Sequence, residues 1–134
     1  MTRFLMIVLA MGLALSAASG ARAGEEWKWG VNFYDLQLHS LPEADSAVEA
    51  DICASSLLSM ASVMMDLGEK DAQYQLSTLS NAWKGEGMKR RQVDATTYHD
   101  KYLLPAFTLM GKLKHEHAVF WSQHCVALTR KHVP

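Results

Sequence analysis

This chain has no surplus of either charge. Its 13 Lys and Arg stand against 14 Asp and Glu, a net charge of −1. A domain that follows a phosphate backbone is normally basic, so nucleic-acid binding is disfavoured. Cysteine is scarce, with two in 134 residues. No C-x-x-C, C-x-x-C-H or H-E-x-x-H occurs, which removes thioredoxin-like, c-type haem and zincin chemistry. There is no G-x-S-x-G, S-x-x-K or glycine-rich phosphate loop either. The sequence reads as a non-enzyme with no cofactor. After Gly24 no apolar stretch reaches the roughly 20 residues that a bilayer demands, so no stable membrane insertion is expected there.

The N-terminus is what stands out. One positive residue, Arg3, precedes an uncharged apolar run of 12 residues from Phe4 to Leu15. Small residues and Ala21-Arg22-Ala23 follow. That order is the order of a cleavable secretory signal peptide over 1–23. The apolar run is too short for a membrane anchor. Export to the periplasm or beyond is the expected destination. Without Arg3 and Arg22 the remainder carries 11 basic against 14 acidic residues.

An oxidising compartment turns the two cysteines into an expected disulfide between Cys53 and Cys125. The bond would close a loop of 72 positions. On the chain-entropy model such a loop stabilises by about 4 kcal/mol before any native strain is subtracted.

Residues 24–41 differ in pattern from the rest. Trp27, Trp29, Val31 and Phe33 alternate with Glu26, Lys28, Gly30 and Asn32. Period two marks an extended segment, here an aromatic arm laid on the remainder. Residues 42–134 read as one helical domain. Ser40-Leu41-Pro42-Glu43 fits an S-x-x-E capping box, which predicts a helix from Pro42 to Leu67, stopped by Gly68. The acidic residues Glu43, Asp45, Glu49 and Asp51 then complement its positive end. Ala72, Leu76, Leu79 and Trp83 give a second helix from Glu69 to Gly85, where Gly85-Glu86-Gly87 breaks it. A loop over 85–94 follows, and Asp94 caps a third helix from Ala95. Pro105 interrupts that helix and opens a last one to about Lys131, read as continuous, with a split at Gly111 as the alternative. The expected fold is all-α: a small four-helix bundle-like domain with an extended N-terminal arm and one disulfide.

Two side-chain groups suggest binding. Lys89, Arg90 and Arg91 fall in the 85–94 loop, where a flexible backbone and positive charge suit an acidic protein partner. Trp27 and Trp29 of the arm are candidates for the same face. The second group is the C-terminal histidines. His115 and His117 point about 200° apart on a helix, while His117 and His124 share a face but stand roughly 10 Å apart. One metal with bonds near 2 Å cannot bridge that span, so His117 and His124 are only weak metal candidates. A haem would need one of them with Met60, Met64 or Met65 opposite.

Export, small size, a disulfide-stapled bundle and absent active-site motifs point to action through protein–protein contact. In size, compartment and cysteine placement the chain is similar to small helical immunity proteins that neutralise cell-wall-degrading effectors. The resemblance implies an inhibitor or accessory role, with a homodimer as the alternative assembly. A periplasmic metal or haem carrier is the competing class. Intact-mass measurement of the exported protein should give a mature chain beginning at Gly24. Retention of residues 1–23 would remove the argument for export.

Overall fold

The computed structural model describes residues 30–132. Residues 1–23 and the arm positions Trp27 and Trp29 lie outside them. The elements are α1 (Phe33–Gln37), α2 (Ala47–Asp66), α3 (Lys70–Arg91), α4 (Ala95–Tyr98), a π-turn (His99–Leu103), α5 (Leu104–Met110) and α6 (His115–His132). Among the described residues there is no strand. The all-α expectation is met, and Cys53 on α2 is bonded to Cys125 on α6.

Helix α2 is the axis of the molecule. It supplies Ala50, Ile52, Cys53, Ala54, Leu57, Met60 and Ala61 to the core. Helices α3, α5 and α6 all pack on it. By length and composition α2 would suffice to cross a membrane, contrary to the sequence expectation, yet 61% of that span is buried inside the protein. Its apolar character serves the core.

Several boundaries differ from the sequence reading. Residues 33–37 form a short helix, not an extended arm. Asn32 caps it by accepting from Tyr34 N–H at 2.8 Å, and Leu36 is buried. Helix α2 begins at Ala47, because a second S-x-x-E box, Ser46 to Glu49, is the one used. Ser46 Oγ accepts from Glu49 N–H at 3.2 Å, and Glu49 Oε1 accepts from Asp45 N–H at 3.0 Å. Asp45 sits at φ 64°, which ends any helical path from Pro42. The two boxes look alike in sequence. Arg90 of α3 selects the second by donating to Ser46 O at 3.0 Å and Glu49 Oε1 at 3.1 Å.

The C-terminal stop of α2 is as expected. Gly68, at φ 77°, donates to Met65 O, and Glu69 donates to Met64 O at 2.9 Å. That pair of bonds is the Schellman pattern.

Helix α3 does not break at Gly85-Glu86-Gly87. It runs on to Arg91 and ends on Gln92 at φ 58°. The reason lies in what Gly87 faces. A Cβ built there would stand 2.3 Å from the Tyr98 hydroxyl oxygen and 2.4 Å from ring carbon Cζ. Gly87 is therefore a seat for the Tyr98 ring, and packing overrides its low helix propensity.

Asp94 caps α4 as expected, accepting from Thr97 N–H at 2.8 Å. Pro105 does not interrupt the chain. The π-turn ahead of it, with Leu104 N–H bonded to His99 O, widens the helix by one residue and leads Pro105 into the first turn of α5. The expected continuous helix over 105–131 is split instead, by a turn at 111–114. Gly111 has an ordinary helical φ of −67°, so its freedom is not the cause. The split lets α5 bring Leu109 and Met110, and α6 bring Trp121 and Cys125, onto α2 separately.

The two α3 glycines give opposite expectations. Nothing lies within 4 Å of a Cβ at Gly85, so Gly85→Ala should stabilise by up to about 1 kcal/mol through helix propensity. Gly87→Ala should destabilise by about 1–3 kcal/mol through overpacking against Tyr98. Denaturant unfolding of the two variants tests this, and equal effects of one sign would contradict the assignment of Gly87.

Candidate functional site

The basic cluster that sequence placed on a loop is the last turn of α3. Lys89 is exposed, its side chain 76% accessible, and it pairs with Glu86 at 3.5 Å. Arg90 and Arg91 turn inward. Arg90 bonds Glu86 Oε1 at 3.2 Å and Glu49 Oε1 at 3.1 Å, and its guanidinium lies 5.5 Å from the centre of the Trp83 ring. Arg91 Nε donates to Asp51 Oδ2 at 3.2 Å and its guanidinium covers the Tyr102 ring at 4.1 Å. Asp51 is fully buried and also accepts from the Tyr98 hydroxyl at 2.7 Å. Glu49 and Asp51 thus do more than complement a helix end. They are internal anions matched by internal cations.

The electrostatics follow from burial. Desolvation pushes the Asp51 carboxyl above its ordinary value near 3.8, and Arg91 and Tyr98 oppose that only in part. Tyr98 is pushed well above its ordinary range by burial and by Asp51. This cluster has the chemistry of a structural lock, because both Asp51 oxygens and Glu49 Oε1 meet donors.

The histidines form a different constellation from the expected one. His117 meets His39, not His124: His39 Nε2 and His117 Nδ1 are 2.9 Å apart. His39, at φ 57°, stacks on Phe120 with ring centroids 3.8 Å apart and an interplanar angle of 2°. His124 lies parallel to Phe120 on its own helix at 6.0 Å. Trp121 is fully buried and donates through Nε1 to Leu36 O at 2.9 Å, fastening α1 to α6. Of the haem candidates, Met60 is buried in the core and Met65 is 55% exposed. Among the described residues no group of three or more metal-ligating side chains comes together.

Sequence gave no sign of the third feature, a groove between α3 and α6. Trp83 Nε1 donates to Thr129 Oγ1 at 2.7 Å, which ties the two helices at one level. Beyond that tie lies a depression of about 560 Å³, lined by Tyr74, Gln75, Thr78, Leu79, Val126, Thr129 and Arg130. A second, of about 360 Å³, continues it past Leu76, Ser122, Gln123 and Ala127 and shares Val126 and Arg130. Tyr74 is 74% exposed. Thr129 is already satisfied, accepting from Trp83 and donating to Cys125 O at 2.6 Å. Arg130 is exposed and has no ion-pair partner among the described residues. Leu76 and Leu79 belong to the apolar stripe read from sequence, whereas Tyr74, Gln75, Thr78 and Arg130 are exposed, so no spacing along either helix marks the two sets as one groove.

The chain matches no family model, no curated protein and no solved structure. The functional reading therefore rests on this geometry.

The buried cluster generates a pH expectation. A carboxyl with a raised folded value holds its proton more tightly in the folded state. Its contribution to stability is complete below the ordinary carboxylate range and is lost as pH rises through the raised value. Stability of the native protein relative to Asp51→Asn should therefore fall as pH rises across that window. Arg91→Met leaves the Asp51 charge uncompensated and should cost about 3–5 kcal/mol at neutral pH, shrinking on acidification. Denaturant unfolding at a series of pH values reads both; a pH-independent Arg91→Met loss would contradict the assignment.

Proposed function

We propose that this chain is an exported helical domain that acts by binding another protein, of the inhibitor or accessory class, through the α3–α6 groove. Export is supported by the signal-peptide order of residues 1–23, and the Cys53–Cys125 bond agrees with an oxidising destination. The observation that carries the binding role is the groove itself. Its walls are mainly apolar, Tyr74 stands open at one side and Arg130 supplies a cation at the rim.

These features define the occupant. An amphipathic segment of the partner would lay an apolar face on Leu79 and Val126 and bring a carboxylate to Arg130. Residues 123–130 of α6 run for roughly 10 Å, room for about two turns of a docked helix. The Lys89–Arg91 turn is less suited to the contact, since Arg90 and Arg91 already serve Glu49 and Asp51.

A photo-crosslinking residue at Gln75, in cells that export the protein, should give one dominant protein adduct. The same residue at Lys112, in the turn before α6, should give none. Arg130→Glu should weaken the adduct at least tenfold, and Tyr74→Ala should cost about 2 kcal/mol or more in affinity for the purified partner, as truncated interface aromatics do. Identical adducts from both positions, or insensitivity to Arg130→Glu, would overturn the groove as the contact. An adduct with a second copy of the chain would assign the groove to a homodimer.

A further inference from the structure

We propose that His39 and His117 form an acid-opened latch, which holds the segment after α1 on α6 while at least one imidazole is neutral and releases it when both are protonated. The pair is formed by tertiary structure alone, since 78 positions separate the two residues. It lies apart from the α3–α6 groove and does not depend on the reading given there.

His39 stands where a glycine is usual. At φ 57° it takes the left-handed position that ends α1, with its N–H donating to Leu36 O at 3.3 Å and the Ser40 N–H donating to Asp35 O at 2.9 Å. A β-carbon disfavours that backbone, and surrounding contacts must offset the strain. The His39 ring supplies them. It stacks on Phe120 of α6 with centroids 3.8 Å apart, and its Nε2 is hydrogen-bonded to His117 Nδ1 at 2.9 Å. Leu36 O also accepts from Trp121 Nε1 at 2.9 Å. The turn at His39 and the tie between α1 and α6 therefore meet on one carbonyl.

The imidazole bond needs a hydrogen on one facing nitrogen and a lone pair on the other. Two neutral rings supply both. One added proton keeps the latch shut, because a His39 imidazolium still donates to His117 and is attracted to the Phe120 face. A second proton removes the last lone pair, and two like charges then face each other. The closed pair thus holds one proton fewer than the open pair. Opening is favoured as pH falls through the ordinary imidazole range near about 6.5.

Little negative charge opposes this. Glu116 Oε2 lies 4.0 Å from His117 Nε2, on a side chain 76% exposed and so well screened. Among the described residues, Asp35 of α1 and Glu43 of the following segment form no ion pair with either ring, and Asp45 sits at the Glu49 cap of α2. His124, parallel to Phe120, and exposed Lys114 before α6 are cationic groups on the same side of the balance. The His117 side chain is 19% accessible, so protons reach the pair.

Amide hydrogen exchange of the purified full chain, followed by NMR at about pH 7.5 and about pH 5, tests the latch. The Ser40 amide reports the segment, and the Leu57 amide in the buried core of α2 reports global opening. Protection of Ser40 relative to Leu57 should fall about tenfold or more at the lower pH. His39→Phe keeps the stack but takes up no proton, and should make that ratio independent of pH. His117→Asn places an amide oxygen near the site of Nδ1, an acceptor that stays unprotonated, and should keep Ser40 protected at the lower pH. His115→Gln and His99→Gln should respond as the native chain does. An unchanged ratio in the native chain would overturn the proposal. So would a native response in His39→Phe or His117→Asn, or loss of the response in His115→Gln.

Discussion

Two carboxylates buried on the central helix govern the architecture. Glu49 and Asp51 lie in the first half of α2, and Asp51 is fully buried. An unpaired ion there would cost several kcal/mol, so the fold must bring cations to it. Arg90 and Arg91 reach it only because α3 continues past Gly85 and Gly87 to its twenty-second residue. Tyr98 completes the satisfaction of Asp51, and it reaches the carboxylate across the bare backbone of Gly87. The same requirement sets the start of α2, since Arg90 engages the Ser46 carbonyl and Glu49 together.

Helix α6 is held to α2 by different means. The Cys53–Cys125 bond fixes α6 at one level with Cα atoms 5.3 Å apart. Two buried indoles, Trp83 and Trp121, place α6 against α3 and against the carbonyl of Leu36. Indole N–H groups within a core need acceptors, and satisfying them fixes the helices more narrowly than apolar contact alone. Helices α3 and α6 are thus both tied to α2 and meet each other lightly, which leaves the seam between them as a groove. The groove and the hydrogen-bonded His39–His117 pair both border α6 and use different residues.

Much of the fold was readable from residues alone. The helical class, the Gly68 stop, the Asp94 cap and the disulfide each rest on a local or combinatorial rule that tertiary packing did not oppose. The misreadings share one cause. Gly85 and Gly87 carry a strong local signal for a break, and only Tyr98 explains why Gly87 belongs inside a helix. Ser40 and Ser46 both offer capping boxes, and the choice lies with an arginine 44 positions away. Charges that resemble a solvated turn, Arg90 and Arg91, are internal because of where α2 puts its carboxylates.

The sequence by itself determined the helical character of the chain and the pairing of its two cysteines, because helix periodicity is local and two thiols allow one internal bond. Tertiary structure decided which cations turn inward, which histidines meet and where the surface opens. Those properties depend on pairs such as His39 with His117 and Trp83 with Thr129. Such pairs are set by how helices cross, and no spacing along one chain segment encodes a crossing.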